Sequence, residues 1–163
     1  MIVTIEDRDI IEMMCKGKVL VATTGTFDLL HAGHVGHLEN CKKLGDYLIV
    51  LLTSDERTRQ KKGPTRPIIP QEQRAKILDS LRVVDFVITG FIYPKNSSKK
   101  IIDNLQILEI FRPQMFVVEN YGWEDYREIL ENWGIKLIIK KEISVRITTT
   151  SQIINTIIDR YET

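Results

Sequence analysis

Apolar runs with β-branched residues alternate with helix-type patterns along nearly the whole chain, and this alternation constrains the fold most. The strand-like runs span residues 19–25, 46–54, 84–90, 114–120 and 135–141. The helix-type patterns span residues 34–45, 71–81, 97–111, 124–134 and 149–161. Five strands that alternate with helices predict a parallel sheet covered on both faces, joined by right-handed crossovers.

The pattern therefore favours an α/β protein with a Rossmann-like, doubly wound sheet of five parallel strands. A length of 163 residues suits a single domain with one core, so we expect one domain over residues 1–163. Residues 1–16 precede the first strand, and an amphipathic pattern from Thr4 to Met14 predicts a helical extension that packs against the body or a partner subunit. Ligands of such sheets bind beyond the carboxyl ends of the strands, where the strand order reverses.

Charge and cysteine content limit the partners and the compartment. The formal net charge is +1, so no overall field draws the chain to nucleic acid or to a membrane, and we expect neither as a partner. The sequence has no apolar run long enough to span a bilayer, and its first residues are too acidic for a secretory signal. Cys15 and Cys41 do not make a disulfide framework. We therefore expect a cytoplasmic protein with reduced thiols.

Two of the three histidines lie in TGTFDLLHAGH, residues 24–34, where the first strand gives way to the first helix. Backbone N–H groups and the helix dipole favour an anion at such a junction. Gly25 lets the backbone approach a ligand closely, and Thr24 and Thr26 add hydroxyl donors. The sequence contains neither GxGxxG nor GxxxxGK[ST], which argues against a dinucleotide fold or a P-loop.

Other interpretations of the histidines stay open on spacing alone. A histidine at a helix start is often a surface residue, and we expect His37 to be a solvated helix residue. A zinc site would have to draw Asp28, His31, His34 and His37 to one point, and no cysteine pair or HExxH motif completes its ligand set. We expect no protein-bound metal there.

The His-x-Gly-His spacing at His31, Gly33 and His34 resembles the signature of the HxGH nucleotidyltransferase superfamily. Residues 44–56 (LGDYLIVLLTSDE) and 62–88 (KGPTRPIIPQEQRAKILDSLRVVDFVI) are similar to cytidylyltransferases and to the nucleotidyltransferase domain of ADP-heptose synthases. The resemblance covers nearly the whole chain. It implies that a nucleoside triphosphate reacts with a phosphate-bearing substrate and releases pyrophosphate. His31 and His34 would then stabilise charge on the phosphoryl oxygens during in-line transfer.

The same resemblance implies further site residues. Lys61 lies in the basic segment ERTRQKKGPTR, which we expect to be a loop, and would contact substrate phosphates. Arg82, in the RVVD motif, and Trp123, near a tryptophan of glycerol-phosphate cytidylyltransferases, would belong to the nucleotide site. The implied nucleotide-binding residues are Thr24, Gly25, Thr26, Phe27, Asp28, Gly33, Arg82, Trp123, Thr149, Thr150 and Ser151.

The last motif departs from the family pattern. SVRITTTSQII stands where cytidylyltransferases carry R-T-x-G-I-S-T-T, and Arg146 falls two residues late. Thr149, Thr150 and Ser151 align with S-T-T, so their hydroxyl and N–H groups would bind the β- and γ-phosphates. A plain helix cap is the alternative interpretation.

These features predict a cytidylyltransferase that joins CTP to a phosphorylated small alcohol or sugar, with Mg²⁺ countering the triphosphate charge. Arg82 favours CTP, since ADP-heptose synthases usually lack this arginine. The apolar residues of RVVDFVI and the resemblance together suggest a homodimer. The alternatives are an ATP-dependent adenylyltransferase acting on a sugar 1-phosphate, as HAGHV and KGPTRPI suggest, a nucleotide-binding module without turnover, and a metal hydrolase.

Overall fold

One parallel sheet organises the computed structural model, which describes residues 1–89, 102–119, 121–140 and 149–162. Its strands are β1 (Ile2–Val3), β2 (Leu20–Gly25), β3 (Tyr47–Leu52), β4 (Phe86–Ile88), β5 (Met115–Val118) and β6 (Lys136–Ile139). They lie in the order β1-β4-β3-β2-β5-β6, and every neighbouring pair is parallel. The predicted Rossmann-like, doubly wound sheet is confirmed, with six strands in the described residues instead of five.

The additional strand, β1, comes from the N-terminal extension. Ile2 and Val3 pair with Val87 and Ile88 of β4. Two residues carry no readable periodicity, which is why the sequence pattern missed this strand. A 3-10 turn (Ile5–Asp7) and helix α1 (Arg8–Met14) follow, and the buried Ile11 joins the core. The extension therefore packs against the body of its own chain.

Helices cover both faces of the sheet. After α1 they are α2 (Ala32–Lys42), α3 (Asp55–Lys62), α4 (Gln71–Asp79), α5 (Ile102–Phe111), α6 (Arg127–Asn132) and α7 (Thr150–Tyr161), with a 3-10 turn over Tyr121–Tyr126. Residues of α2 and α4 pack on one face, and residues of α1, α5 and α6 pack on the other. Within the described ranges, none of these helices is both long and apolar enough to cross a membrane.

Helix α3 covers the first seven residues of ERTRQKKGPTR, Glu56 to Lys62, so the prediction of a loop is wrong for that part of the segment. The Ser54 side chain caps the helix by accepting a hydrogen bond from the Arg57 N–H. Acidic residues in the first turn and basic residues in the last turn complement the helix dipole. Polar residues fill the helix, so no apolar stripe indicates it in the sequence.

The strand order reverses beside β2. The chain passes from β2 to β3 and β4 on one side and then crosses to β5 on the other side. In open α/β sheets, such a switch point opens a crevice outside the carboxyl ends of the two strands. Here the loop after Gly25 borders the crevice from β2, and Glu119 borders it from β5.

The buried guanidinium of Arg74, on α4, holds the loops at this edge together. Only 1% of Arg74 is exposed. It donates to the carbonyl oxygens of Thr26, Thr53 and Ile69 at 2.5, 3.0 and 2.8 Å and to the Asp55 carboxylate at 2.6 Å. The sequence does not indicate this role of Arg74, because its partners include backbone oxygens of distant loops. These bonds offset the cost of burying the charge.

We expect Arg74→Met to lower the free energy of unfolding by at least about 3 kcal/mol, since it leaves Asp55 without its buried partner and three carbonyl oxygens without their donor. Arg82→Met makes the same chemical change at an exposed arginine and should cost less than about 0.5 kcal/mol. Urea unfolding of both variants measures the difference. Equal effects would show that Arg74 does not hold the loops together.

Candidate active site

The loop between β2 and α2, residues 26–31, forms one wall of the switch-point crevice. Phe27 adopts the left-handed backbone region with φ of 50° and is buried. Its ring lies 2.8 Å from where a Cβ on residue 25 would stand. Gly25 therefore makes room for the Phe27 ring, whereas the sequence suggested room for a ligand.

Asp28 fixes the loop to the segment that follows α3. Its buried carboxylate accepts from the Arg66 guanidinium at 2.6 and 2.8 Å, and from the N–H groups of Ile68 and Ile69 at 2.9 Å each. Burial alone would raise the pKa of Asp28, but these bonds outweigh it and the pKa is lowered. The geometry gives Asp28 a structural role, and the nucleotide contact that the resemblance implied stays a prediction.

His31 and His34 stand side by side at the start of α2. His31 occupies the N-cap position, and α2 begins at Ala32, so the helix also contains Gly33. The two imidazole rings stack with centroids 3.8 Å apart and planes inclined by 22°. The Phe27 ring meets His34 edge-on with centroids 5.2 Å apart. The start of α2 therefore brings the two imidazole rings of the His-x-Gly-His spacing together.

Both of these histidines are neutral near pH 7. Burial, followed by the charge of His31, lowers the pKa of His34 to about 4. Burial likewise lowers the pKa of His31, against the opposing effect of Glu119. The Nδ1 atom of each ring is buried and finds no hydrogen-bond partner among the described residues. Protonation would put an N–H on that atom, so the surroundings favour the neutral ring with a single N–H donor.

Lys62, the last residue of α3, carries a charge that acts on His34. Burial and then Arg66 lower the pKa of Lys62, while Asp28 raises it. The charge of Lys62 also lowers the pKa of His34. Coulomb interactions weaken with distance, so these couplings place Lys62 near the site. Lys61, the lysine chosen from the sequence, interacts with Lys62 itself.

The N-terminus of α7 contacts the loop between β2 and α2. Thr149 forms a reciprocal capping box with Gln152, which confirms the helix-cap interpretation for this threonine. The Thr150 hydroxyl donates to the carbonyl oxygen of Leu29 at 3.3 Å. Ser151 is exposed in the first turn, and Arg146 lies outside the described residues.

Arg82, which the resemblance assigned to the nucleotide site, lies away from the crevice. Arg82 is exposed and precedes β4, so it lies at the amino edge of the sheet, opposite the crevice. Asp85, the last residue of the RVVD motif, accepts from Lys42 at 2.6 Å and from the Leu48 N–H at 2.7 Å. The apolar residues of RVVDFVI fill the core of this chain, so they give no support for a dimer interface.

Trp123 belongs to the hydrophobic core. It is 6% exposed, and its ring lies 4.7 Å from that of Phe116 and 5.7 Å from that of Tyr126, between centroids. The Thr24 hydroxyl is also engaged, since it donates to the Leu51 carbonyl oxygen and accepts from Asn104. Both side chains therefore have partners within this chain, and their contact with a nucleotide stays a prediction.

His37 is buried, so the prediction of a solvated residue is wrong. Its Nε2 lies 2.8 Å from the Thr23 hydroxyl, whose proton goes to the Val117 carbonyl oxygen, so Nε2 carries a hydrogen. Its Nδ1 lies 3.0 Å from the Glu119 carboxylate. Burial alone would lower the pKa of His37, but Cys41 and Glu119 raise it to about 9. His37 is therefore a cation near pH 7.

The histidines and acids do not form a metal centre in the part of the chain that the structure describes. No group of three or more His, Cys, Asp or Glu side chains there has the geometry to hold a metal ion. Asp28 pairs with Arg66 and His37 pairs with Glu119. The sequence did not single out Arg66, Glu119 or Asn104, because their partners lie far away along the chain.

We expect Asp28→Asn to destabilise the protein by about 2 kcal/mol near pH 7, because an amide cannot accept all the bonds of the carboxylate. The pKa of Asp28 in the folded protein lies below its ordinary value of 3.8. The carboxylate therefore contributes its full stabilisation above pH 3.8, and this stabilisation is lost as the pH falls through the folded pKa. Urea unfolding at neutral and acidic pH, with Asp125→Asn as the exposed control, measures it. A constant difference between wild type and variant down to about pH 2 would contradict this account.

Comparison with known proteins agrees with this geometry. The chain is 35% identical over 156 residues to the bifunctional protein HldE of Syntrophotalea carbinolica, covering 95% of this chain and 30% of that protein. The HldE of Cronobacter sakazakii is 55% identical over 73 residues, covering 45% of this chain and 15% of that protein. This chain thus spans less than a third of the length of these relatives.

Solved structures give the same fold. The lipopolysaccharide core biosynthesis protein of Thermoplasma volcanium superposes with a TM-score of 0.57 and 28% identity, covering 78% of this chain and all of that chain. A pantoate-beta-alanine ligase of Francisella tularensis gives a TM-score of 0.59 over all of this chain and 78% of that chain. Its 18% identity supports the fold alone.

The family assignment follows from the matched segment. The model of the cytidylyltransferase-like family matches residues 22–158, which include the loop after β2, the stacked histidines and the start of α7. The chain belongs to the cytidylyltransferase-like family.

Proposed function

We propose that the protein transfers a nucleotidyl group from a nucleoside triphosphate to a phosphorylated sugar and releases pyrophosphate. The observation that carries this proposal is the stacked, neutral pair of His31 and His34 at the start of α2. The pair borders the switch-point crevice, where open α/β sheets bind ligands.

The chemistry that we propose is direct displacement at phosphorus. An oxygen of the acceptor phosphate forms a bond to the α-phosphorus, the bond to the bridging oxygen breaks, and pyrophosphate leaves with that electron pair. Neutral imidazole N–H groups of His31 and His34 donate to the phosphoryl oxygens as charge builds on them. The positive end of the α2 dipole and the Lys62 ammonium group act in the same direction. No covalent enzyme intermediate is involved.

Mg²⁺ enters this proposal as part of the nucleotide substrate. A magnesium ion usually reaches phosphoryl-transfer sites on the substrate phosphates and needs few protein ligands. This fits a crevice in which Asp28 and Asp55 already pair with Arg66 and Arg74. The ion would counter the charge of the β- and γ-phosphates.

We propose adenylyl transfer as the first candidate for the nucleotide. Arg82 and Trp123 were the residues that favoured CTP; Arg82 is exposed and precedes β4, and Trp123 is packed in the core. HAGHV and KGPTRPI resemble ADP-heptose synthases, and the relatives with the name HldE support the same choice. The similarity to a lipopolysaccharide core biosynthesis protein supports a sugar phosphate as the acceptor. Cytidylyl transfer is the second candidate, because the family model carries that description.

A homodimer is also part of the proposal. The N-terminal extension exposes a group of large apolar side chains, which are Ile2, Ile5, Ile10, Met13 and Met14. Such a patch commonly marks a contact between proteins. Light scattering at micromolar concentration should give twice the 18.9 kDa mass of one chain, and a monomeric mass would contradict the dimer.

A pyrophosphate-release screen tests the choice of nucleotide. We expect ATP with Mg²⁺ and a sugar 1-phosphate to give the fastest turnover among four nucleoside triphosphates crossed with sugar phosphates and phosphorylated alcohols. Faster turnover with CTP and a phosphorylated alcohol would favour the second candidate. Nucleotide binding without pyrophosphate release from any pair would favour a non-catalytic module.

Removing either stacked histidine tests the catalytic role. We expect His31→Ala or His34→Ala to lower kcat by about two to four orders of magnitude, as the loss of an electrostatic donor does, with a much smaller change in KM. Glu39→Ala, on the exposed side of α2, is the matched control and should leave kcat unchanged. Turnover close to wild type in both histidine variants would remove the pair from the mechanism.

A further inference from the structure

An ion pair bridges the two elements that border the switch-point crevice. Glu119 follows the end of β5, and His37 lies one turn beyond His34 on α2. Nδ1 of His37 and Oε1 of Glu119 are 3.0 Å apart. The pair therefore connects the helix that carries the stacked histidines to the strand on the other side of the crevice.

The two partners are buried to very different extents. The His37 side chain is 8% exposed, whereas that of Glu119 is 55% exposed. An ion pair with one solvated partner adds little stability by itself. A buried imidazolium is costly, and an apolar side chain in its place would fill the same space without that cost. Stability alone therefore does not account for this pair.

The contacts of both ring nitrogens hold the His37 ring in one orientation. Nε2 donates toward the Thr23 hydroxyl in β2, and Nδ1 lies 3.0 Å from the Glu119 carboxylate after β5, an ion-pair contact. The Cys41 sulfur lies 3.5 Å from Nε2 on the next turn of α2. Fixing the ring from both neighbouring strands fixes the rotation and height of α2, and with them the positions of His31 and His34.

The charges of His37 and Glu119 also act on the two stacked histidines. The negative charge of Glu119 raises the pKa of both His31 and His34, while the positive charge of His37 lowers that of His34. Among the described residues, Lys140 also acts on Glu119, and Cys41 acts on His37. The two charges of the pair shift the pKa of His34 in opposite directions. Burial therefore remains the main influence on that pKa, and the ring is neutral.

We propose that the His37–Glu119 ion pair positions the stacked histidines for phosphoryl transfer, with both members acting as positioning residues. The proposal rests on the proposed function for its consequence in catalysis. We expect Glu119→Gln and His37→Gln each to lower kcat by about tenfold and to change the nucleotide KM by less than about threefold. Misplaced donors weaken the stabilisation of the transition state more than they weaken nucleotide binding. The double variant should lose no more than either single variant, since one broken pair is enough.

The pH profile separates positioning from a purely structural role. The folded-state pKa of His37 is raised to about 9 from 6.5, so the imidazolium that forms the pair is present near pH 7 and is lost as the pH rises through 9. Wild-type kcat should therefore fall with a midpoint near 9, and Glu119→Gln should lack this step. Glu124→Gln breaks the exposed pair with Arg127 and is the matched control, with the wild-type profile.

NMR of the histidine side chains without substrate tests the role of the pair independently of turnover. The chain has three histidines, so their imidazole resonances can be assigned by single substitution. In Glu119→Gln, we expect the His37 titration to move to lower pH and the His31 and His34 resonances to shift at neutral pH. If no nucleotide supports turnover in the wild type, the proposed function fails, while these shifts would still show that Glu119 acts on both rings. Unchanged His31 and His34 resonances, or wild-type kcat in both variants, would overturn the inference.

Discussion

The buried guanidinium of Arg74 is the interaction on which the rest of the crevice depends. The carbonyl oxygens of Thr26, Thr53 and Ile69 end up close together because one planar cation binds all three. The loop after β2 is thereby held at one end, and Asp28 holds its middle through Arg66 and two backbone N–H groups. Loops carry the functional groups in this architecture, so a rigid loop is a condition for a defined site.

Around the crevice, several cations are paired with carboxylates, while the two stacked histidines are uncharged. The cations Arg66 and Arg74 are neutralised by Asp28 and Asp55, and His37 is neutralised by Glu119. His31 and His34 remain uncharged beside Lys62. A triphosphate that enters the crevice would therefore contact neutral hydrogen-bond donors and the N-terminus of α2. Both favour binding of an anion, and neither forms a strong ion pair with it. Such donors suit charge that develops during reaction.

Much of the fold and the centre of the site could be predicted from the sequence. Period-two and helical patterns located five strands, and His31 and His34 were placed correctly at a strand–helix junction. Local patterns could not reveal β1, which has two residues, or α3, whose surface is polar throughout. They also could not reveal the roles of Arg74 and His37, because both depend on partners that only the folded chain brings close. Arg82 was misplaced for the same reason, since the RVVD motif does not say at which edge of the sheet it lies.

The central claim is that the stacked histidines form the phosphate site of a nucleotide. Histidine imidazole resonances recorded during titration with Mg²⁺–ATP test it most directly, because they need neither an acceptor nor turnover. The account predicts that the His31 and His34 resonances shift with saturation while His37 stays protonated near pH 7. Saturable nucleotide binding that leaves the His31 and His34 resonances unmoved would contradict it.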